Sequence, residues 1–383
     1  MTKETVKGFR DISGEEAEKI FEIQKILISE FERYGFEYAE TPVIEYEEFV
    51  KAGNENDEAV SDIFKLKDRG GRNLALRYEF TFQLKRLAEN KKLPYRRFQI
   101  GPVFRDEPIS ANRFRQFTQC DIDIVGSTLK DEAEILSLTS SILKKIGVKF
   151  RIYINNKKLL DEIFKANNIK NDSQILKEID KLDKLSEEKI KDNLRKYNAE
   201  KLISIFKNKK SYFKKFFYFK EIEELEKFCK LYGVKTEFFP SLVRGLSYYN
   251  GNIFEIKSDI KETICAGGSY LVNGIQSTGA SFGLDRLTVV AKIKINKIKV
   301  LIISLDQDKK AIDITNKLRQ NNFSSILMYG KPSKALEYAN AKKIEYVIFV
   351  GENEIKNKKF RVKNMKSGEE FNLKENDLLK RLV

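Results

Sequence analysis

Apolar residues recur at Ile20, Ile23, Leu27, Phe31 and Tyr34, the three-to-four spacing of one face of an α-helix. Ser13-Gly-Glu-Glu16 ahead of this run has the form of a capping box, and Gly35 behind it suits a left-handed C-terminal stop. The pattern predicts one long amphipathic helix over 15–34. Phe36 to Tyr46 reads as a strand interrupted by Pro42, which removes a ladder hydrogen bond and so belongs at an edge or an interface. From Leu74 to Ile124 the periodicity predicts strand, helix, strand, loop, strand. Its last two strands, Tyr95 to Arg105 and Phe114 to Gly126, flank the polar loop Asp106 to Arg113 as a long antiparallel hairpin.

Residues 155–235 become dense in Lys, Asn, Leu and Ile with helical spacing and almost no glycine, which predicts a helical insertion. Strand signals return at Ser241. Asn250-Gly251 reads as a turn between Leu246 to Tyr249 and Asn252 to Ile256, followed by a strand signal at Thr263 to Cys265. Thr278 to Phe282 reads as a strand entering a helix near Gly283. Lysines 292, 294, 297 and 299 mark a boundary. Beyond it, Val300 to Leu305, Ser325 to Tyr329 and Tyr346 to Val350 alternate with helices starting near Asp308 and Pro332, a βαβαβ pattern with a small parallel or mixed sheet.

Composition narrows the chemistry. The chain has 383 residues and no histidine, which removes imidazole bases, Ser-His-Asp triads and histidine-bound metals. At about 150 residues per domain the length predicts two to three domains. Seventy-two Lys and Arg against 57 Asp and Glu leave a formal charge of +15. That excess fits a polyanionic partner such as nucleic acid, or a lysine-rich compositional bias. Cys120, Cys229 and Cys265 are too scattered for a metal motif or a disulfide framework, so a reducing cytoplasm is expected. The N-terminus lacks the apolar region of a signal peptide, and no apolar stretch approaches the roughly 18 residues of a membrane span.

In the strand from Phe114, Cys120, Ile122 and Ile124 point one way, and Arg115, Gln119, Asp121 and Asp123 the other. The polar side is either a solvated face or the lining of a pocket for a small cationic ligand. Arg77, Glu79 and Thr81 form a second in-phase polar set, so a shared sheet would bring Glu79 and Asp123 together. Arg105, Arg113, Arg115, Arg244 and Arg286 are spread over separate segments, and no P-loop or G-x-G-x-x-G is present. Each is a surface ion-pair partner or part of a convergent phosphate site, for which the guanidinium fork is suited.

Taken together, these residues resemble a known family. Arg105-Asp-Glu-Pro through Arg113-Phe-Arg-Gln-Phe-Thr-Gln-Cys-Asp-Ile-Asp resembles the motif 2 hairpin of class II aminoacyl-tRNA synthetases, and Gly279-Ala-Ser-Phe-Gly-Leu-Asp-Arg286 resembles their motif 3. The helix over 15–34 with the Pro42 strand is similar to motif 1, which in that class forms the dimer interface. Leu242-Val-Arg-Gly-Leu-Ser-Tyr-Tyr249 and Cys265-Ala-Gly-Gly-Ser-Tyr270 resemble peptides peculiar to the histidyl-tRNA synthetases. Asp180-Lys-Leu-Asp-Lys184 resembles part of that family's insertion domain, and Gln119-Cys-Asp-Ile-Asp looks more like its archaeal and eukaryotic branch.

The resemblance implies an α+β fold: a class II antiparallel sheet with flanking helices over 1–154 and 236–292, a helical insertion over 155–235, and an α/β anticodon-binding domain over 297–383. It implies activation of L-histidine with ATP and Mg2+, transfer to tRNA(His), and a homodimer through the motif 1 region. Carried over by position, Arg105 would bind the α-phosphate, Glu107 the adenine, and Arg286 the γ-phosphate, with Arg113 where the motif 2 loop meets ATP. Arg105, Arg244 and Arg286 would be catalytic, Arg244 sitting between the histidine carboxylate and the α-phosphate. Glu79, Thr81, Gln119 and Asp123 would hold histidine, with Tyr248, Tyr249 and Tyr270 closing the pocket. No residue is implied as a metal ligand. Ser247, Ser269 and Leu271 depart from the family pattern, which has Asp, Arg and Asp there, and this bears on support of the pocket. The alternatives are a non-catalytic paralogue that binds histidine or tRNA, and a plain RNA-binding protein.

Overall fold

The structure, a computed structural model, describes residues 3–52, 60–110, 112–170, 173–183, 185–243, 248–295 and 300–382. Arg244, Leu246 and Ser247 lie outside the described residues, as do Lys184, Lys297 and Lys299. The chain divides into two compact units, 1–293 and 294–383.

Helix α1 (Gly14–Arg33) opens the first unit and buries Ile23, Leu27 and Phe31. Its N-terminus departs from the predicted capping box. Ser13 makes no side-chain cap, and Glu16 reaches Arg10 at 2.6 Å instead of turning back. The stop falls as expected: Gly35 adopts φ +76° and Phe36 N donates to Phe31 O at 3.0 Å. The predicted 36–46 strand is two short strands in different sheets, β1 (Glu37–Tyr38) and β2 (Ile44–Tyr46), because the chain changes direction around Pro42.

After α2 (Glu47–Lys51) come β3 (Lys65–Lys67) and β4 (Asn73–Leu76), which with β2 make a three-stranded sheet. Helix α3 (Thr81–Leu87) then begins, so Arg77, Glu79 and Thr81 do not share a strand face, and β4 is not in the sheet that carries Asp123. The reason is visible at Arg77. Its guanidinium donates to Thr41 O at 2.7 Å and Pro102 O at 2.8 Å, turning the chain out of β4.

The predicted hairpin is β5 (Tyr95–Phe104) and β6 (Gln116–Val125), paired from Tyr95 with Val125 to Phe104 with Gln116. Helix α4 (Leu129–Lys145) and β7 (Arg151–Asn156) follow. The lysine-rich segment is helical: α5 (Lys157–Ala166), α6 (Ser173–Asp180), α7 (Glu187–Arg195), α8 (Lys201–Phe206), α9 (Lys210–Phe213) and α10 (Phe219–Leu231). Its apolar faces join the same hydrophobic cluster as Ile23, Leu27 and Phe31, through Ile163, Phe213, Ile222 and Leu225 among others. The chain returns through β8 (Glu237–Phe238), β9 (Tyr249–Lys257), β10 (Cys265–Val272), β11 (Ile275–Gly283) and α11 (Leu284–Val290).

These strands form one eight-stranded sheet in the order β1-β5-β6-β11-β10-β9-β7-β8, antiparallel except at the β1–β5 and β7–β8 pairs. The Asn250-Gly251 turn is absent; both residues lie within β9. Gly251 serves close approach: a Cβ there would sit 3.1 Å from Ser269 Cβ. On one face of the sheet Cys120, Ile122, Ile124, Phe98 and Phe282 join the cluster with α1. Gln119, Asp121 and Asp123 alternate with them and point to the other face.

The second unit is a sheet in the order β13-β12-β14-β15-β16: β12 (Val300–Ser304), β13 (Ser325–Tyr329), β14 (Tyr346–Val350), β15 (Phe360–Asn364) and β16 (Glu370–Leu373). The first three are parallel and the last two antiparallel, so the sheet is mixed. Helices α12 (Asp308–Gln320), α13 (Pro332–Ala341), α14 (Glu352–Asn357) and α15 (Glu375–Leu382) accompany it, and the sheet buries separate apolar clusters, one with α12 and α15 and the other with α13.

Phe31 is fully buried, its ring 5.2 Å from Phe98 and 6.2 Å from Phe282. Phe31→Ala is expected to cost about 3–5 kcal/mol, seen as a lower urea midpoint by circular dichroism; an unchanged midpoint would contradict this packing.

Candidate active site

Antiparallel register lines up polar residues across neighbouring strands on the face away from α1. One row is Arg97, Asp123, Gly279 and Gly268, and the next is Gln99, Asp121, Ser281, Ala266 and Glu255. Gly101, Gln119 and Gly283 form a third. The glycines make this face concave. A Cβ on Gly279 would lie 2.2 Å from Asp123 Oδ1, and one on Gly101 2.7 Å from Arg77 Nη2. Bare backbone therefore leaves the space into which Asp123 leans.

Asp123 is buried and meets Arg97 at 2.8 Å, while the Tyr270 hydroxyl donates to its other oxygen. Burial raises its pKa, and Arg97 and the Tyr270 hydrogen bond oppose the rise. Asp121 is pushed up to about 7, by burial foremost, with Arg97 pulling it down and Asp123 pushing it up. Arg97 Nε and Nη1, Gln99 Oε1, Gln119 Oε1 and Asp121 Oδ1 are buried without a hydrogen-bond partner among the described protein atoms. So many unmet donors and acceptors on one face fit a site completed by a polar ligand.

Tyr249 and Tyr270 close one side, with ring centroids 6.4 Å apart. The Tyr248 ring is tilted against Tyr249, centroids 4.2 Å apart, and the residue is 40% exposed, so it forms the outer edge. Burial raises the Tyr249 phenol pKa, and Glu79 and Asp123 add to that rise. Glu79 thus stands near the tyrosines although it is not in the main sheet, reached through the turn that Arg77 holds. Thr81 is the first residue of α3.

Beside this pocket lies a cavity of about 250 Å³ lined by Arg105, Arg113 and Arg286 together with Glu107, Gln119, Glu255, Ser281 and Asp285. Three segments supply its arginines: the end of β5, the loop before β6, and α11. Each is anchored. Arg105 Nε donates to Tyr78 O at 3.0 Å, Arg286 Nη1 donates to Thr263 O at 2.9 Å, and Arg113 pairs with Glu107. Asp285 accepts from Thr118 N at 2.9 Å and from Arg10 at 3.1 Å, tying motif-like segments together. Arg115 is turned instead to Asp106, at 2.9 Å. Gln119 lines the cavity and donates to Ser281 Oγ at 2.9 Å, so it borders both pockets.

The sequence singled out Arg105, Arg113, Arg286, Glu79, Gln119, Asp123 and the tyrosines, which fall around these two adjoining pockets, whereas Arg115 turns to Asp106. It passed over Arg97, Glu255 and Ser281. Register would have found Arg97 and Ser281, which stand directly across from Asp123 and Asp121, and Glu255 further along the same row, but register is fixed only once the sheet order is known.

An antiparallel sheet presenting converging arginines without a P-loop defines the class: the fold is that of a class II aminoacyl-tRNA synthetase. The histidyl-tRNA synthetase family model matches residues 8–287, and an anticodon-binding domain model matches 298–383. A histidine–tRNA ligase of Bacillus cereus is 32% identical, covering 97% of this chain and 95% of that relative. One of Clostridium acetobutylicum is 32% identical, covering 96% of each. The crystal structure of histidyl-tRNA synthetase from Nostoc sp. PCC 7120 superposes with a TM-score of 0.87 at 24% identity, covering 100% of this chain and 99% of that one. The chain belongs to the histidyl-tRNA synthetase family.

Asp121 supplies a pH test of the site. Its carboxyl ionises near 3.8 when unperturbed and near 7 in the fold. Its favourable contribution is therefore complete below the lower value and is lost as pH rises through the upper one. Asp121→Asn should flatten that loss, so the wild type falls in Tm between about pH 5 and pH 8 by more than the variant does. Parallel Tm curves would sink the assignment.

Proposed function

We propose that this chain activates L-histidine with ATP to give histidyl-adenylate and pyrophosphate, then transfers the histidyl group to the 3′ end of tRNA(His). The observation that carries the proposal is the convergence of Arg105, Arg113 and Arg286 on one cavity bordered by Gln119, with the buried Asp123 row alongside. In the first step the histidine carboxylate attacks the α-phosphorus and pyrophosphate leaves with the electron pair of the broken P–O bond. In the second, a ribose hydroxyl of the terminal adenosine attacks the acyl carbon and AMP departs. Both steps gather negative charge on oxygens, so fixed cations matter more than a proton acceptor, and a histidine-free enzyme suffices.

Arg105 binds the α-phosphate and Arg286 the γ-phosphate, each held by a backbone carbonyl in the orientation it needs. Glu107 faces the adenine, and Arg113, now paired with Glu107, is released onto ATP or the acceptor end. Arg244 is assigned the junction of carboxylate and α-phosphate on the resemblance alone. Mg2+ bound with the triphosphate would add further neutralisation there.

Glu79, Thr81 and Gln119 receive the ammonium group, and Asp123 receives an imidazole N–H, with Tyr248, Tyr249 and Tyr270 enclosing the ring. An apolar isostere would offer Asp123 no N–H in place of the imidazole's, a loss worth up to roughly 10⁴-fold in discrimination. Residues 1–154 and 236–292 act as the catalytic core, 155–235 as an insertion approaching the acceptor arm, and 297–383 as the anticodon-binding domain. Exposed Phe21, Ile44 and Tyr46 on the α1 and β2 surface support a homodimer through that region. Three free, buried cysteines suit a reducing cytoplasm. Among the described residues no helix is long and apolar enough to cross a membrane.

Histidine-dependent ATP–pyrophosphate exchange tests the reading directly. Wild type should exchange with Mg2+ present, and Arg105→Ala or Arg286→Ala should lose about a hundredfold or more in kcat. A folded wild type with no exchange would overturn the enzyme and leave the non-catalytic paralogue. Binding of tRNA should weaken steeply with salt, because each neutralised phosphate releases counterions; a flat log–log plot would contradict the proposed tRNA surface.

A further inference from the structure

Glu132, on α4, is a buried carboxyl that the reaction above does not use. It faces an irregular stretch of the main sheet. Tyr270 pairs with Tyr249 and Gly268 with Ile253, so the single residue Ser269 on β10 stands opposite Asn250, Gly251 and Asn252 on β9. Excess residues on one strand leave a ladder locally unpaired and free to shift unless something holds both sides. Glu132 does so. Its Oε1 accepts from Ser269 Oγ at 2.5 Å and its Oε2 from Asn252 Nδ2 at 2.7 Å, so the two oxygens grip opposite strands of the irregularity.

The far side of the clamp is also fixed. Asn252 Oδ1 accepts from Asn156 Nδ2 at 2.8 Å, and Asn156 Nδ2 donates as well to Glu221 on α10 at 2.8 Å. Glu221 in turn pairs with Lys158 at 2.9 Å. Asn156 Oδ1 caps α5 through Lys158 N and Leu159 N. The polar chain therefore runs from the residue beside Tyr270 to the helical segment. Packing leaves little slack: a Cβ on Gly268 would lie 2.5 Å from Asn252 O. Glu132 has its pKa raised to about 7, chiefly by burial, with the Ser269 and Asn252 hydrogen bonds lowering it, Glu221 raising it and Lys158 lowering it.

We propose that Glu132 is a positioning residue for the amino-acid pocket, clamping the β9–β10 irregularity through Ser269 and Asn252 and so fixing where Tyr249 and Tyr270 stand against Asp123. It touches no reacting atom. The inference rests on the histidine reading of that pocket. It gives Ser269, one of the three departures from the family pattern, a role in holding the pocket.

The test is pyrophosphate exchange with KM for histidine and for ATP measured separately. Ser269→Ala removes one arm of the clamp, Glu132→Leu removes both, and Glu132→Gln keeps an acceptor for Asn252 and an amide for Ser269. Ser269→Ala and Glu132→Leu should raise the histidine KM by roughly tenfold with the ATP KM within about twofold, and Glu132→Gln should restore the histidine KM to near wild type. Unchanged histidine KM in Ser269→Ala, or equal shifts in both constants, would overturn the proposal. Should Glu132→Leu not fold, Ser269→Ala alone decides. A wild type that shows no histidine-dependent exchange fails the functional reading itself, a result distinct from wild-type exchange with unshifted variants.

Discussion

The contact between Arg97 and Asp123 is the constraint on which the pocket depends. Taking a guanidinium and a carboxylate out of water costs several kcal/mol for each ion, and attraction offsets that only where geometry is good and remaining atoms are satisfied. Here the two residues stand opposite each other on β5 and β6, the Tyr270 hydroxyl serves the second carboxylate oxygen and Gly279 leaves room for it, while Arg97 Nε and Nη1 are left for a ligand to satisfy. A one-residue slip would turn Asp123 into the layer of Ile122 and Ile124. Packing of Ile23, Leu27 and Phe31 on that layer resists such a slip, so the apolar side of the sheet fixes the chemistry of the polar side.

From that row the division of labour follows. Carboxylates and amides form the floor where a cationic, ring-bearing amino acid would lie, and guanidinium groups occupy the neighbouring cavity, where a triphosphate would. Gln119 belongs to both. Arg105 and Arg286 are held by backbone carbonyls of other segments and Arg113 by a carboxylate of its own loop, so the cations are oriented before any anion arrives. Preorganisation of this kind avoids reorganisation during reaction.

Much of this was legible from residue order alone. The β5–β6 hairpin and the β12 to β14 pattern follow from period-two alternation and short polar connections, and β12, β13 and β14 begin where their apolar runs begin. Local signals failed where long-range contacts overrode them. Asn250-Gly251 has turn chemistry, yet it lies within β9 with Gly251 close against Ser269; Glu79 and Thr81 alternate like a strand, yet Arg77 grips Thr41 and Pro102 and bends the chain. Arg97 and Glu132 could not be picked out, because their burial is a property of the assembled sheet.

The absence of histidine combines with the two carboxyls held near 7, Asp121 and Glu132, to give the folded chain an unusual proton inventory. In most proteins, exchange of protons around neutrality is dominated by imidazoles scattered over the surface. Among the described residues, two buried acids are pushed into this range, one in the site and one in the clamp beside it. The heat of ligand binding, compared across buffers of different ionisation enthalpy, therefore reports protons exchanged at these acids and on the ligand itself, with no imidazole of the chain contributing. Any imidazole resonance in the complex belongs to the ligand.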